Sequence, residues 1–568
     1  METQQRSYFN GVGGPALLGL CVGEVLDRTA FAYPDRLALV VRHQNRRYTY
    51  SEFRGEVELV ARGLLHLGVQ KGDRVGLWAT NCAEWVITQF ATAKIGAILV
   101  NINPAYRAYE LEYALRQSEC QTLLLIRGFR DCDYVSTLVS ICPEVENSEA
   151  GELFSEKLPY LKNLIFIGEG APRGMFCWSD LADVGQRVPV QDLKAREAAL
   201  DCDDPVNIQY TSGTTGVPKG ALLSHHNIVN NGLLVGGSMK ITAQDKICIP
   251  VPFYHCFGMV MGNMAAALAG AAMVIPAPYF VALDTLEAVE EERCTALYGV
   301  PTMFIAELEH PEFSRFDLCS LRTGIMAGSP CPIEVMRRVV EQMHCHEMTI
   351  AYGLTETSPV VTQTTPEDPI ELRVSTVGKP LPHTEIKIAD AQTGRPVPIG
   401  VPGELCARGY MVMKGYYKNP DATRCILDLD GWLHSGDLAV MDENGYCRIT
   451  GRIKDMIVRG GENVYPREIE EFLYTCPGIS DVQVVGVPDH KYGEAVVAWV
   501  KLKEGAELSE QDIKDFCRGR ISNFKIPRYV RFVDSFPVTI TGKIQKFKMR
   551  EVSINELGLE SIAKVETT

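Results

Sequence analysis

The chain has 568 residues, of which 46% are hydrophobic and 22% charged, and a formal net charge of -15. One core rarely grows that large, so at least two domains are expected, with the composition of a soluble globular enzyme. The acidic balance argues against nucleic acid as the main partner, whose affinity is built on excess Lys and Arg, and leaves any anionic substrate to local donors.

In chain order, residues 1 to 23 lack a basic segment followed by a cleavable apolar stretch and are not Arg-rich, so no secretory or transit leader is expected. Thr49 and Glu52 form a T-x-x-E capping box ahead of Phe53, Val57, Val60, Ala61 and Leu64, which is helical spacing ended at Gly68. A strand at Arg74–Trp78, a helix near Ala83–Lys94 and a strand at Ala97–Ile102 follow. This βαβ rhythm implies a parallel sheet packed with helices, and it resumes from about 220 to 360. Within that stretch Phe257 to Ile275 is almost wholly apolar and about the length of a membrane span. Gly258, Gly262, Asn263 and Gly270 interrupt it and no basic flank anchors it. A buried helix and then a strand at Ala271–Ile275 are expected instead. From about 376 to 450 the pattern is short strands and turns, with Asn444-Gly445 marking a hairpin between Leu438–Met441 and Tyr446–Ile449. Beyond about 455 a small α+β unit is expected, with helices near Pro466–Tyr474 and Ser509–Arg518.

Eighteen cysteines run from Cys21 to Cys517 with no CxxC pair. A chain that buries its own core needs no staples, so free thiols in a reducing compartment are expected. His344, Cys345, His346 and Glu347 are metal-ligating types, but adjacent residues do not easily converge on one ion and no second cluster completes the set.

Five segments carry chemistry. Tyr210-Thr211-Ser212-Gly213-Thr214-Thr215-Gly216-Val217-Pro218-Lys219-Gly220 combines glycines that turn N–H groups toward an anion, hydroxyl donors and a lysine, which is a phosphate cradle. It is not a Walker A loop, because Val217 and Pro218 separate Gly216 from Lys219. It is expected directly before a helix at Ser224–Leu234. The others are Ala351-Tyr352-Gly353-Leu354-Thr355-Glu356-Thr357, Trp432-Leu433-His434-Ser435-Gly436-Asp437, Gly451-Arg452-Ile453-Lys454-Asp455 leading into Arg459-Gly460-Gly461-Glu462-Asn463, and Thr541-Gly542-Lys543-Ile544-Gln545-Lys546. Each alone is weak; the five in this order are specific.

From about residue 20 to 550 the chain resembles the adenylate-forming superfamily of acyl-CoA synthetases, luciferases and peptide-synthetase adenylation domains. It is most similar to the medium-chain acyl-CoA synthetase family called family member two, as Asn103-Pro104-Ala105-Tyr106, Ile141-Cys142-Pro143-Glu144 and Phe524-Lys525-Ile526-Pro527 indicate. The resemblance implies an α/β fold: a large N-terminal domain (20–453) of helix-packed, mostly parallel sheets with a small β-rich subdomain, then a small mobile α+β domain (454–556). It implies ATP, Mg²⁺ and CoA, with a medium-chain fatty acid as the substrate and long-chain acids open. Thr211 to Lys219 would hold the ATP phosphates. Tyr352 would stack on adenine beside Gly353 and Thr355, with Gly328, Ser329 and Pro330 lining the pocket. Glu356 and Thr211 would serve Mg²⁺, and Asp437 would accept from the ribose hydroxyls, assisted by Arg452. Lys543 would serve adenylation and Lys454 would be the hinge. His255 and Gly299 would border the acyl pocket and Gly461 the pantetheine path. Small residues at Gly262, Ala265, Ala266, Ala267 and Gly270 would leave room for the acyl chain if they line it. Cys256 is not needed as a nucleophile. Animal members are mitochondrial; the missing leader favours a bacterial cytoplasmic enzyme. The rival readings are a stand-alone adenylation enzyme loading a carrier protein, an aryl acid–CoA ligase, an inactive binding protein and a membrane transporter. Oligomeric state is not legible.

Overall fold

The computed structural model describes residues 5–211, 218–329, 331–460, 462–538 and 544–560. Two large sheets form the body. One has eight strands, in the order Phe176–Cys177, Asn163–Phe166, Thr122–Leu125, Arg74–Trp78, Ile98–Asn101, Pro205–Thr211, Lys219–Ser224 and Gly415–Tyr416. It is parallel as far as Pro205–Thr211, then closes with two antiparallel pairs. The other has nine strands centred on Thr323–Ala327, Ala296–Gly299, Lys246–Cys248 and Ala272–Ile275, all parallel neighbours. The expected alternation of strand and helix accounts for both. Thr49 caps the helix Tyr50–His66, accepting from the Glu52 N–H, and Glu52 reaches back to the Thr49 N–H. The helix Ala83–Lys94 is buried along its whole length, its polar residues Glu84, Thr88, Gln89, Thr92 and Lys94 included. Trp85 and Phe90 are fully buried there, each contributing about 1.5–3 kcal/mol. Its one cation, Lys94, is held at 2.7 Å by both Asp27 and Glu197.

The run Phe257 to Ile275 is a correction in detail. Phe257–Met264 is π-helical, Ala265–Ala269 is a short α-helix and Ala272–Ile275 is a strand. Gly270 makes the turn at φ +73°. Asn263 donates to Gln89 Oε1 at 2.9 Å, which satisfies one polar group inside the apolar segment. Among the described residues no helix is long and apolar enough to cross a membrane.

A five-stranded antiparallel sheet comprises Tyr8–Asn10, Thr384–Ala389, Gly403–Gly409, Leu433–Met441 and Cys447–Arg452. The Asn444-Gly445 turn joins the last two, with Gly445 at φ +84°. The chain then passes through residues 453–456 to another sheet, built of Ile457–Arg459, Glu462–Val464, Ile479–Asp489, Gly493–Leu502 and Tyr529–Phe532. The helices Pro466–Tyr474 and Glu510–Cys517 belong to this unit, the second capped by Ser509. Its core has its own clusters around Ile457, Val484 and Val496 and around Val487, Trp499 and Met549. All 18 cysteines are free.

Candidate functional site

The site lies where the two large sheets and the five-stranded sheet present strand ends. The helix expected behind the phosphate-cradle segment is present, but a strand, Lys219–Ser224, that the sequence reading lacks leads into it. Thr211 and Lys219 are antiparallel partners that end the strands Pro205–Thr211 and Lys219–Ser224. The helix runs from His225 to Ser238 with Ser224, the expected first residue, as its cap. The strand was concealed because Lys219 to Ser224 is short and its alternation merges with the helical pattern behind it. Ser212, Gly213, Thr214, Thr215, Gly216 and Val217, which fall between these strands in sequence, lie outside the described residues, as do Pro330, Gly461 and Lys543. Pro218 accepts from the Tyr113 hydroxyl at 3.0 Å.

From the cradle a chain of contacts leads to Glu356. The Lys219 ammonium stands 5.3 Å over the ring of Tyr416. The Tyr416 hydroxyl donates to Glu356 Oε1 at 2.6 Å, and both residues are more than 90% buried. Burial, and then the Glu356 charge, push the Tyr416 phenol well above its ordinary range, so it stays a donor. Glu356 sits on the single turn Thr355–Thr357 after the strand Glu347–Gly353. The turn is pinned because the Met413 N–H donates to the Glu356 carbonyl at 2.9 Å and Ser358 donates to the Met411 carbonyl at 2.7 Å. Gly353 is required there by close approach: a Cβ would lie 1.7 Å from the Pro359 carbonyl oxygen. Tyr416 had no sequence signal, since it stands 60 residues from Glu356 in an ordinary Gly-Tyr-Tyr stretch. A carboxylate oriented by a phenol near a lysine is a hard oxygen donor of the type Mg²⁺ prefers. Glu356 therefore fits that ion; Thr211, half-buried at the strand end, offers a hydroxyl.

The second constellation centres on Asp437, 6% exposed. The Tyr352 hydroxyl donates to Asp437 Oδ2 at 2.7 Å, and Arg452 Nε lies 3.1 Å from Oδ1. Asp437 and Arg452 are register partners across the hairpin of Leu433–Met441 and Cys447–Arg452, so the hairpin itself brings them together. Burial, then the Asp437 charge, hold the Tyr352 phenol well above its usual range. The Tyr352 ring is half-buried, Gly328 is exposed at φ +87° and Ser329 is half-buried. A partly open aromatic face beside a carboxylate is suited to a planar ring with a polyol attached.

On the third side, His255 is half-buried with its ring 4.4 Å from that of Tyr254. Cys256 is buried, and burial first, then the Glu356 charge, push its thiol up. A thiol held protonated is a poor nucleophile. The small residues Gly262, Ala265, Ala266, Ala267 and Gly270, expected to leave room if they line the acyl pocket, pack into the core instead. A Cβ on Gly262 would lie 3.1 Å from Ile249, and one on Gly270 would lie 2.6 Å from the Tyr33 ring. Ala265, Ala266 and Ala267 are buried in the core, where Ala266 and Ala267 carbonyls accept from Tyr50 and Thr29. These positions serve close packing. Gly299 likewise lies against the Phe304 ring, 2.9 Å from where its Cβ would be.

Lys454 is exposed in the segment that leaves the five-stranded sheet. The strands Ile457–Arg459 and Glu462–Val464 flank Gly461. The Arg459 guanidinium donates to the Phe524 carbonyl at 2.7 Å, joining two segments singled out in the sequence. Val538 and Ile544 form an antiparallel bridge, with Lys543 in the intervening sequence.

The sequence profile of the AMP-binding enzyme family matches residues 26–417, and that of the AMP-binding enzyme C-terminal domain matches residues 468–543. A Bacillus subtilis protein that carries an acyl-CoA synthetase name, YngI, is 53% identical over 96% of this chain and 99% of its own. The human mitochondrial medium-chain acyl-CoA ligase ACSF2 is 44% identical over 97% of this chain and 91% of its own. The anthranilate CoA ligase AuaEII, solved with anthranoyl-AMP, superposes with a TM-score of 0.82 at 27% identity, covering 94% of this chain and 98% of that one.

Proposed function

The chain belongs to the AMP-binding enzyme family, and we propose that it acts as a fatty acid–CoA ligase in two steps on one site. It is an ATP-dependent acid–thiol ligase of the acyl-CoA synthetase class. The observation that carries the mechanism is the pairing of two preset carboxylates: Glu356 oriented by Tyr416 next to Lys219, and Asp437 oriented by Tyr352 and Arg452.

In the first step an oxygen of the substrate carboxylate attacks the α-phosphorus of ATP. A new P–O bond forms, the bond to the bridging oxygen breaks, and pyrophosphate leaves with the electron pair. Thr211 to Lys219 hold the phosphates. Tyr352 supports the adenine together with Gly328, Ser329, Pro330, Gly353 and Thr355, and Asp437 accepts from the ribose hydroxyls. Glu356 and Thr211 would hold Mg²⁺, which supplies positive charge against the phosphates when bound. Lys543 adds a donor where negative charge gathers. In the second step the sulfur of CoA, its thiol proton passing to solvent, attacks the acyl carbonyl, the C–S bond forms through a tetrahedral oxyanion, and AMP leaves with the electrons of the broken C–O bond. Rotation of the unit 454–556 at Lys454 would bring Gly461 to the pantetheine path between the steps.

A medium-chain acid is the proposed substrate, supported by the names of the ACSF2 relatives; His255 and Gly299 would border its pocket. A reducing compartment, proposed as the cytoplasm, suits 18 free cysteines. A pyrophosphate-release screen over acids of increasing length, with and without CoA, tests the reading. Each buried CH₂ contributes about 0.8 kcal/mol, about fourfold in kcat/KM, until the pocket ends. Activity that peaks with acetate or amino acids, or that needs a carrier protein in place of CoA, would overturn it.

A further inference from the structure

The strand that carries Asp437 is irregular where it matters. Across the pair Gly403–Gly409 and Leu433–Met441, Cys406 faces His434 and Glu404 faces Leu438. A two-residue step on one strand thus faces a four-residue step on the other, and Ser435, Gly436 and Asp437 bulge out opposite Leu405. Gly436 takes φ +71°, a left-handed conformation that glycine adopts without steric cost. A bulge re-aims a side chain but removes its residues from the ladder, so their N–H groups need other partners.

Glu404 supplies the main one. Its Oε1 accepts from the Gly436 N–H at 3.0 Å, and its Oε2 lies 2.8 Å from His434 Nδ1. Ser435 closes the remaining bonds, donating through Oγ to the Leu405 carbonyl at 2.6 Å while its Oγ accepts from the Asp437 N–H at 3.0 Å. Glu404 is 8% exposed. His434 Nδ1 also approaches Cys406 Sγ at 3.5 Å, and its Nε2 stands 3.6 Å from Asp428. The imidazole is therefore surrounded by acceptors and acidic groups, which favours its charged form beside an ionised Glu404. One carboxylate thus ties the middle of the three-residue bulge, Gly436, to the residue before it, His434, through charge-assisted bonds.

We infer that Glu404 is a positioning residue for nucleotide selection: with His434 it clamps the Ser435–Asp437 bulge and so aims Asp437 at the ribose. The inference rests on the ribose assignment of Asp437 in the proposed function. Glu404 and His434 bond to the bulge and to each other rather than to the Asp437 carboxylate. Their effect reaches the reaction only through the direction of the Asp437 carboxylate, so it falls on hydroxyl recognition and spares the phosphates.

The test uses the full-length enzyme and compares kcat/KM for ATP with that for 3′-deoxy-ATP. The same ratio is measured for Glu404→Ala, Glu404→Gln and Asp437→Ala. Asp437→Ala is expected to remove the preference for ATP. Glu404→Ala is expected to reduce that preference about tenfold, the worth of one bond to a charged group, with 3′-deoxy-ATP used nearly as well as before. Glu404→Gln, whose amide oxygen still accepts from Gly436, should retain part of it. Peptide-level hydrogen exchange gives a readout independent of nucleotide: Glu404→Ala should speed exchange in residues 433–441 and leave the sheet around 323–327 unchanged. Equal loss with both nucleotides in Glu404→Ala marks a merely structural role and overturns the inference, as does unchanged exchange in 433–441. If Asp437→Ala loses the preference and Glu404→Ala keeps it, the clamp alone falls. If Asp437→Ala keeps it, the ribose assignment falls and the inference falls with it.

Discussion

Tyr352 offers two separable contributions, a ring face and a hydroxyl. Tyr352→Phe removes only the 2.7 Å bond to Asp437 Oδ2. Bonds to a charged group are worth about 1.5–3 kcal/mol, and Asp437 is 6% exposed, so water does not replace the lost donor. If the freed carboxylate swings away from the nucleotide, AMP binding weakens by at most that amount, about tenfold to about a hundredfold. Arg452 still holds Oδ1 at 3.1 Å, so the lower end is expected. Tyr352→Ala removes the ring as well. Base–aromatic stacking is worth about 1–3 kcal/mol, so a further loss of about fivefold to about a hundredfold should follow. Calorimetric titration with AMP, run on wild type and both variants, reads the two steps separately. A Tyr352→Ala variant that binds AMP no more weakly than Tyr352→Phe would show that the base does not rest on this ring.

Tyr416→Phe should lower kcat/KM for ATP by about tenfold, because Glu356 loses its orienting donor; unchanged kinetics with a lowered melting point would assign Tyr416 to stability alone. Lys454→Pro fixes φ and removes an N–H, so it should spare pyrophosphate release and impair thioester formation; equal losses in both half-reactions would count against a hinge. Lys543→Ala should slow pyrophosphate release by about 10²–10³ yet still convert ready-made acyl-adenylate to acyl-CoA, and normal pyrophosphate release would refute its role. The Cys406 and Glu404 contacts raise His434 from 6.5 to about 10. A raised pKa gives stability that is full below about 6.5 and is lost as pH rises through about 10. The stability gap between wild type and His434→Gln, followed by urea unfolding, should therefore narrow between pH 7 and 10, and a constant gap would contradict the clamp's charge.

Local signals are legible in the sequence. The capping box at Thr49 and Glu52, the helix Pro466–Tyr474 and the Asn444-Gly445 hairpin each rest on contacts within a few residues, and each is present. The strand Lys219–Ser224 was missed because its partner is the strand before the cradle, a pairing that periodicity does not register. The small residues from Gly262 to Gly270 leave room only if they line the pocket, and sequence does not say which side of a helix faces a cavity; Ile249 packs against Gly262 and Tyr33 against Gly270. Tyr352, Asp437 and Arg452, the residues proposed for the ATP site, are legible as motifs, and their mutual bonds are not. Convergence of Tyr352 with Asp437 depends on two sheets meeting. Tyr416 and Glu404 were invisible for the same reason: each acts on a residue tens of positions away.

The proposed reaction is a two-step ligation through an acyl-adenylate. It is tested most directly by mixing enzyme with octanoate and MgATP and following products by mass spectrometry, first without CoA. The expected result is octanoyl-AMP retained on the enzyme, with pyrophosphate released in about equal amount, then conversion to octanoyl-CoA and AMP when CoA is added. Formation of ADP and phosphate, or of octanoyl-CoA with no octanoyl-AMP at any time, would contradict it.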